Sequence, residues 1–124
     1  MAVPKSVITD AELNVLKVLW ETASLSAREI AERLYEEVNP SSMGTVQKLI
    51  ARLEEKGMLA REDGETPHRF DAALAREDIA GMQLDDFARK LSKGSLSPFV
   101  LHLVQAKNLS KADKDEIRRL LDEK

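Results

Sequence analysis

The stretch SSMGTVQKLIARLEEKGMLAREDGETPHRF, from Ser41 to Phe70, decides the fold class of this chain. Its first part begins with two serines and ends at Gly57. The apolar residues of that part follow the i, i+3, i+4, i+7 spacing of one helix face, and they are Val46, Leu49, Ile50 and Leu53. We therefore predict an amphipathic helix of about four turns that begins at Ser41 or Ser42.

A short β-hairpin is predicted directly after this helix. Met58–Glu62 and His68–Ala72 have β-like patterns, and Asp63-Gly64 between them is a turn signal. A capped helix that leads into a hairpin is typical of a winged helix-turn-helix, in which the hairpin forms the wing. The fold class that we predict is mainly α with a small β-hairpin wing.

Two further capped helices are predicted before this stretch. Thr9–Glu12 and Ser26–Glu29 each have the spacing of a capping box, in which the first and last side chains bond to each other's backbone. The first helix is predicted to end near Glu21 and the second near Val38. Pro40 favours an end of the second helix at that point, since proline disfavours helical backbone at the residue before it.

The sequence after residue 73 predicts three more helices with wide apolar surfaces. Short helices have little chain of their own to cover such surfaces, and a dimer interface is the simplest way to bury them. The alternative is that they pack onto the N-terminal domain. We predict a winged-helix domain at residues 1–73 and a helical dimerisation region at residues 74–124. The predicted dimerisation residues are Leu84, Phe87, Leu91, Phe99, Val100, Leu103, Val104, Ile117, Leu120 and Leu121.

Composition and charge limit the functions that this chain can have. None of its 124 residues is cysteine, which excludes disulfides, thiolate catalysis and cysteine-ligated metals; we predict no cofactor and no metal site. Because no apolar run reaches the roughly 20 residues of a membrane helix, we expect a cytoplasmic location without membrane insertion. Residues 1–71 contain 9 Lys and Arg and 13 Asp and Glu, a net charge of −4. Binding to DNA phosphates would therefore require their basic groups to lie together on one surface.

The face of the third helix opposite its apolar stripe has side chains suited to DNA recognition. At 100° per residue, this face presents small residues, which allow close approach to base edges, beside polar side chains that can bond to bases or phosphates. Hydroxyls and free N–H groups at the helix start suit a phosphate, and the wing edge could contact the DNA backbone. The candidate DNA-binding residues are Ser41, Ser42, Gly44, Thr45, Gln47, Lys48, Arg52, His68 and Arg69. The alternative for this face is an ordinary solvated surface.

Several phrases of the sequence together resemble the BlaI/MecI/CopY family, the penicillinase-repressor group of winged-helix regulators. They are Ile8–Leu13 with Val18–Trp20, Thr45–Leu53, Glu55–Leu59, and Ser95–Val104 with Leu109-Ser110. In this order and spacing they extend over nearly the whole chain. The resemblance implies a transcriptional repressor and a homodimer whose C-terminal helices interlock. It also implies that the dimer binds a palindromic double-stranded DNA operator through the third helix and the wing.

The resemblance implies a regulatory partner as well. In the best-known members, a membrane sensor-protease triggers cleavage within the dimerisation region and so releases the DNA. The matching position in this chain is His102-Leu103, where those members carry Asn-Phe, and this pair is the candidate cleavage site. Copper-responsive members carry C-terminal cysteines, and the absence of cysteine here excludes copper sensing through thiolates.

Two other classes of function compete with a DNA-binding repressor. An enzyme would need a nucleophile–base pair, a metal cluster or a phosphate loop. The two histidines, His68 and His102, lie in regions of opposite character, and we predict that the chain is not an enzyme. A winged-helix module that binds a protein instead of DNA is favoured by the acidic N-terminal half. The hydroxyl-rich start of the third helix, with Lys48 and Arg52 on its face, favours DNA.

Overall fold

The computed structural model describes residues 8–64, 66–91, 93–105 and 109–123. Within these residues, six helices and three short strands follow in the order α1 (Asp10–Glu21), β1 (Leu25–Ser26), α2 (Ala27–Leu34), α3 (Pro40–Glu55), β2 (Leu59–Arg61), β3 (Arg69–Ala72), α4 (Arg76–Leu91), α5 (Ser97–Gln105) and α6 (Lys111–Asp122). The strands form one small antiparallel sheet, and the remaining elements are helical. The predicted fold class, a mainly α winged helix-turn-helix, is confirmed.

The two predicted capping boxes begin α1 and α2. The Thr9 hydroxyl accepts a hydrogen bond from the Glu12 backbone N–H at 3.1 Å, and the Ser26 hydroxyl accepts one from the Glu29 N–H at 3.2 Å. In each box the glutamate carboxylate accepts the reciprocal bond from the N-cap backbone. α1 ends at Glu21, as predicted.

The predicted end of α2 is wrong, because the helix ends at Leu34 instead of near Val38. Tyr35 already has extended backbone, with φ −129° and ψ 144°. On a continued helix Tyr35 would point away from the face formed by Ile30 and Leu34. In the extended conformation, Tyr35 instead packs against the core, as does Val38. The helix thus ends one turn earlier than predicted, and Tyr35 and Val38 pack against the core from non-helical backbone.

The predicted start of α3 is also wrong, since the helix begins at Pro40 with Asn39 as its N-cap. The Asn39 side-chain oxygen accepts a hydrogen bond from the Ser42 N–H at 2.9 Å, and the Ser42 hydroxyl oxygen accepts one from the Asn39 N–H at 2.9 Å. Proline suits the first helical position because the N–H that it lacks would have no partner there. The proline that ends one helix therefore also begins the next.

The sheet joins the wing to the turn between α1 and α2. Its strand order is β1-β3-β2, with Leu25 opposite Phe70 on one side of β3 and Arg61 opposite Phe70 on the other. β2 and β3 lie within the predicted segments, although each is shorter than predicted. Sequence patterning does not predict β1, because two residues show no alternation and their partner lies more than forty positions away.

The core of the winged helix is built from one face of each of its helices. It includes the four predicted apolar residues of α3 and also Val15, Leu16, Ile30, Met58 and Phe70. Trp20, which is partly buried, packs against this core, and its Nε1–H donates to the Leu74 carbonyl oxygen at 2.9 Å.

The chain divides into two compact units, Met1–Gln83 and Leu84–Lys124. The division lies ten residues beyond the boundary predicted after residue 73. Three contacts hold the intervening residues in the first unit: the Trp20–Leu74 hydrogen bond, the Arg76 guanidinium 5.2 Å from the centre of the Trp20 ring, and the burial of Ile79 in the core. The first unit thus includes the beginning of α4 as well as the wing.

A nearly buried ion pair connects the start of α1 with the end of α3. The Lys56 Nζ lies 2.7 Å from the Glu12 Oε1, and Glu12 is 1% exposed. Burial opposes ionisation of Glu12, yet hydrogen bonds from Lys56 and from Thr9 hold the pKa of its carboxyl below its ordinary value. Since Lys56 directly follows α3, this pair holds the point where α3 leads into the wing.

Glu12→Gln should lower the free energy of unfolding by about 1–3 kcal/mol at pH 7, because Lys56 loses its charged acceptor. A carboxyl whose pKa is lowered by folding stabilises the protein above its ordinary pKa of 4.5, and this contribution is lost as the pH falls below that value. The stability difference between wild type and Glu12→Gln should therefore shrink below about pH 4.5. Urea denaturation from pH 7 to pH 3 measures it.

The matched control is Glu21→Gln, at an exposed glutamate on the same helix. This variant should stay within about 0.5 kcal/mol of wild type at pH 7. A Glu12→Gln protein as stable as this control would contradict a stabilising role for the pair.

Candidate nucleic-acid interface

The exposed face of α3 carries most of the side chains predicted to bind DNA. Thr45, Gln47, Lys48 and Arg52 are exposed, as predicted from their helical positions. Ser41 is exposed in the first turn, and its carbonyl oxygen accepts a hydrogen bond from the Thr45 hydroxyl at 3.1 Å. These side chains come together on one surface because the apolar stripe of the helix is buried on the opposite side.

Ser42 and Gly44 lie differently within this face. The Ser42 hydroxyl belongs to the α3 capping box and also bonds to the Asn39 carbonyl oxygen at 3.1 Å, so its hydrogen-bonding capacity is used within the protein. Gly44 is half-buried, and a Cβ added to it would meet nothing within 4 Å. The backbone at Gly44 therefore faces open space, which permits close approach of another molecule.

Ion pairing separates the basic groups of this region into two sets. Four form ion pairs within the protein: Arg28 with Glu32 at 3.4 Å, Lys56 with Glu12 at 2.7 Å, Arg61 with Glu54 at 3.2 Å and Arg69 with Glu29 at 3.3 Å. Lys48 and Arg52 on α3 form no ion pair with any residue that the structure describes, and neither do Lys17 on α1 and Arg33 on α2. Although the N-terminal half is acidic, two uncompensated cations thus lie together on the exposed face of α3.

A groove of about 540 Å³ lies between α3, the start of α2 and the wing. Its apolar part is formed by Met43, Ile50 and Phe70. Its polar lining includes Arg28, Gln47, Glu54, Arg61 and His68. Sequence reasoning did not find this groove, because residues from three separate segments form it and Arg28 and Arg61 carry no pattern that marks them as neighbours.

The two predicted wing residues have different surroundings. His68 is exposed and borders the groove described above. Arg69 lies on the central strand of the sheet, and its Nε donates to the Ser24 hydroxyl at 3.0 Å. Its guanidinium also donates to the Ser24 carbonyl oxygen and pairs with Glu29. Hydrogen bonding from the Ser26 backbone, together with the positive charges of Arg69 and Arg33, lowers the pKa of the Glu29 carboxyl.

The second unit exposes most of the apolar side chains predicted to form a dimer interface. Eight of the ten are large exposed hydrophobic residues: Leu84, Phe87, Leu91, Val100, Leu103, Val104, Leu120 and Leu121. The other two, Phe99 and Ile117, are partly exposed. Leu96 and Leu101 are exposed as well and were not predicted. Among the described residues of this unit, only Asp86 and Ala88 are buried, so its apolar surface is not covered from within.

The candidate cleavage pair, His102-Leu103, lies within α5. Both residues are exposed, and Leu103 also belongs to the apolar surface of the second unit. In the described residues, no three His, Asp or Glu side chains are arranged to hold a metal ion. Among those residues, too, no helix combines the length and the apolar character that crossing a membrane requires.

Known proteins resemble this chain over nearly its whole length. The sequence profile of a family described as "Penicillinase repressor" matches residues 8–123. The methicillin resistance regulatory protein MecI of Staphylococcus aureus strain N315 is 28% identical over 117 residues, which cover 94% of each chain. The penicillinase repressor of Bacillus licheniformis is 27% identical over 116 residues, which cover 94% of this chain and 90% of the relative.

Among solved structures, the chain is similar to the solution structure of the DNA binding domain of the repressor BlaI. The two are 26% identical, with a TM-score of 0.49, and the match covers 62% of this chain and 90% of that domain. The relatives named above are a regulatory protein and a repressor by name.

Proposed function

This chain belongs to the penicillinase repressor family, which confirms the resemblance seen in its sequence, and we propose that it is a DNA-binding transcriptional repressor. We propose further that it acts as a homodimer on a palindromic operator, with one winged helix on each half-site. Such a repressor acts where the DNA is, so the proposal includes the cytoplasmic location predicted from the sequence.

The observation that carries this proposal is the pair of uncompensated cations on α3. In the described part of the chain, Arg28, Lys56, Arg61 and Arg69 form ion pairs with carboxylates, whereas Lys48 and Arg52, four positions apart on α3, form none. Phosphate attraction is local and screened by salt, so two such cations on one exposed helix face can act on DNA despite the acidic surroundings.

The proposed DNA contacts are of three kinds: contacts to base edges, contacts to phosphates and a contact from the wing. Gln47 and Arg52 have donors that can bond to base edges in the major groove, and Lys48 can bond to a base or a phosphate. Ser41 supplies a hydroxyl near the helix start for a phosphate, and Thr45 would supply one by exchanging its bond to the Ser41 carbonyl oxygen. His68 is the proposed wing contact, because it is exposed beside the groove next to α3. Arg69 and Ser42 are not included, since both are already bonded within the protein.

Dimerisation is proposed from the uncovered apolar surface of the second unit. Soluble monomers rarely expose so many large apolar side chains together, and a symmetric dimer would bury them against their own copies. Two linked winged helices then bind a palindrome more tightly than one, because the second contact is intramolecular. Cleavage at His102-Leu103 by a membrane sensor-protease remains a prediction from the family resemblance.

The proposal is tested first by fluorescence anisotropy of the purified chain with the duplex upstream of its own coding sequence, over a series of salt concentrations. A repressor should bind a palindromic fragment in a saturable way and more tightly than random DNA, with affinity that falls steeply as salt rises. Equal binding to both duplexes would contradict sequence-specific repression. No binding even at low salt would instead favour a winged-helix module that binds a protein.

Lys48→Gln should weaken operator binding and reduce the magnitude of the log–log salt slope by about 0.9 if Lys48 contacts one phosphate. Lys17→Gln is the matched control, because Lys17 is an exposed lysine on α1 outside the proposed interface. The control should retain the slope of the wild type. An unchanged slope for Lys48→Gln would remove Lys48 from the set of phosphate contacts.

Gly44→Ala should change stability and DNA affinity in opposite senses. Alanine replaces glycine in a helix with no neighbour within 4 Å, so thermal unfolding should show a gain of about 0.5–1 kcal/mol. If DNA approaches the backbone here, the added methyl group should raise the Kd by about tenfold, since overpacking a close contact costs about 1–3 kcal/mol. Gly81→Ala, on α4 and equally unobstructed, should stabilise the protein without changing the Kd. An unchanged Kd for Gly44→Ala would contradict close approach at this position.

Leu103→Asp should weaken self-association by more than about tenfold, because a charge would be buried in the proposed interface. The winged helix should stay folded, since its core belongs to the first unit. Sedimentation equilibrium and the Trp20 fluorescence spectrum measure these two properties. Gln105→Asp adds the same charge to another part of α5 and should leave the dimer intact. Dimers of Leu103→Asp as stable as those of the control would contradict the interface.

A further inference from the structure

Arg69 makes contacts that a DNA-binding arginine would not need. Its Nε donates to the Ser24 hydroxyl at 3.0 Å, its Nη2 donates to the Ser24 carbonyl oxygen, and the same Nη2 lies 3.3 Å from the Glu29 Oε1. The planar guanidinium thus has two of its nitrogens engaged with acceptors from outside its own strand. A phosphate that approached Nε or Nη2 would have to compete with these acceptors.

The acceptors of Arg69 lie at two points where the helices are connected. Ser24 has φ +65°, an uncommon conformation for a residue with a side chain, and it directly precedes β1. Glu29 belongs to the capping box of α2, where its Oε1 also accepts from the Ser26 N–H at 2.9 Å. Ser26 in turn lies opposite Arg69 in the β1–β3 pairing. One guanidinium therefore joins the α1–α2 turn, the start of α2 and the central strand of the wing.

We propose that Arg69 is a positioning residue that holds the wing against the start of α2, and that it is not a DNA contact. This inference rests on the proposed DNA binding, because it assigns Arg69 a role in placing the wing beside the recognition helix. β1 and β3 pair over only two residues on each strand, so backbone hydrogen bonds alone hold this side of the wing weakly. The Arg69 contacts add side-chain bonds to that short pairing.

Glu29→Gln distinguishes a positioning role of Arg69 from a simple charge effect, because the two predict opposite changes in operator affinity. Glutamine can still accept the Ser26 N–H in the capping box, so the helix cap is kept while the ion pair with Arg69 is lost. If Arg69 positions the wing, operator binding should weaken by about two- to fivefold, the range expected for an exposed ion pair. Simple electrostatics predicts tighter binding instead, because a negative charge is removed from a DNA-binding domain. Binding equal to or tighter than wild type would overturn the proposal.

Glu32→Gln is the matched control for this variant. Glu32 lies on the same helix and pairs with Arg28 at 3.4 Å, without a described contact to Arg69. Removal of its charge should leave operator binding unchanged or slightly tighter. If it weakens binding as much as Glu29→Gln does, loss of any carboxylate on α2 has the same effect and a specific role for the Arg69 contacts is overturned.

Arg69→Lys keeps the positive charge but removes the planar guanidinium, which can bond to two acceptors at once. A positioning role predicts that Arg69→Lys and Arg69→Gln weaken binding to a similar extent, by about five- to tenfold, because both lose the paired hydrogen bonds to Ser24. A phosphate contact predicts that Arg69→Lys retains most of the affinity. Circular dichroism establishes that the variants compared are folded, and near-wild-type binding by Arg69→Lys would overturn the proposal.

Hydrogen exchange of the free protein tests the same contacts without DNA. In Arg69→Gln, the backbone amides of residues 25–26 and 69–71 should exchange several-fold faster than in wild type, while those in the middle of α1 should not change. Unchanged exchange in the sheet would overturn the positioning role. Failure of the wild-type chain to bind any operator would instead contradict the proposed function, and the exchange result would stand independently of it.

Discussion

The burial of one face of α3 is the constraint on which the rest of the winged helix depends. Val46, Leu49, Ile50 and Leu53 are all nearly inaccessible to solvent, so the rotation of the helix about its axis is determined by the core. Thr45, Gln47, Lys48 and Arg52 on the opposite face are exposed as a consequence. The orientation of the candidate DNA-binding face is therefore determined by buried residues that do not belong to that face.

The end of α3 needs a separate support because the chain reverses there into the wing. The Glu12–Lys56 ion pair stabilises the C-terminus of α3, and the buried side chain of Met58 anchors the start of the hairpin in the core. A nearly buried carboxylate without a partner would be strongly destabilising, so the arrangement is least tolerant of loss of the Lys56 charge. On the far side of the wing, the β1–β3 pairing and the Arg69 contacts hold the central strand. The wing is thus connected at both edges to the helices that precede it.

The distribution of charge explains how an acidic domain can present a basic surface. Carboxylates of α1, α2 and α3 pair with Lys56, Arg28, Arg69 and Arg61, and in the described residues this leaves the outer face of α3 with cations that have no partner. Net charge is a sum over the whole surface, whereas phosphate binding depends on charges within about one Debye length. A formal charge of −4 over residues 1–71 is consequently compatible with a local site for an anion.

The sequence by itself determined the helices, the hairpin and the exposed face of α3, because capping boxes, helical periodicity and turn residues are local signals. It also determined the family, since the order of short phrases extends along the chain. Only the tertiary structure decided the remaining features: the early end of α2, the pairing of β1, the groove and the partners of Arg69. Each depends on contacts between residues far apart in the chain. Arg69 shows the difference most clearly, because its position in the wing is visible in the sequence, whereas its bonds to Ser24, 45 residues away, are not.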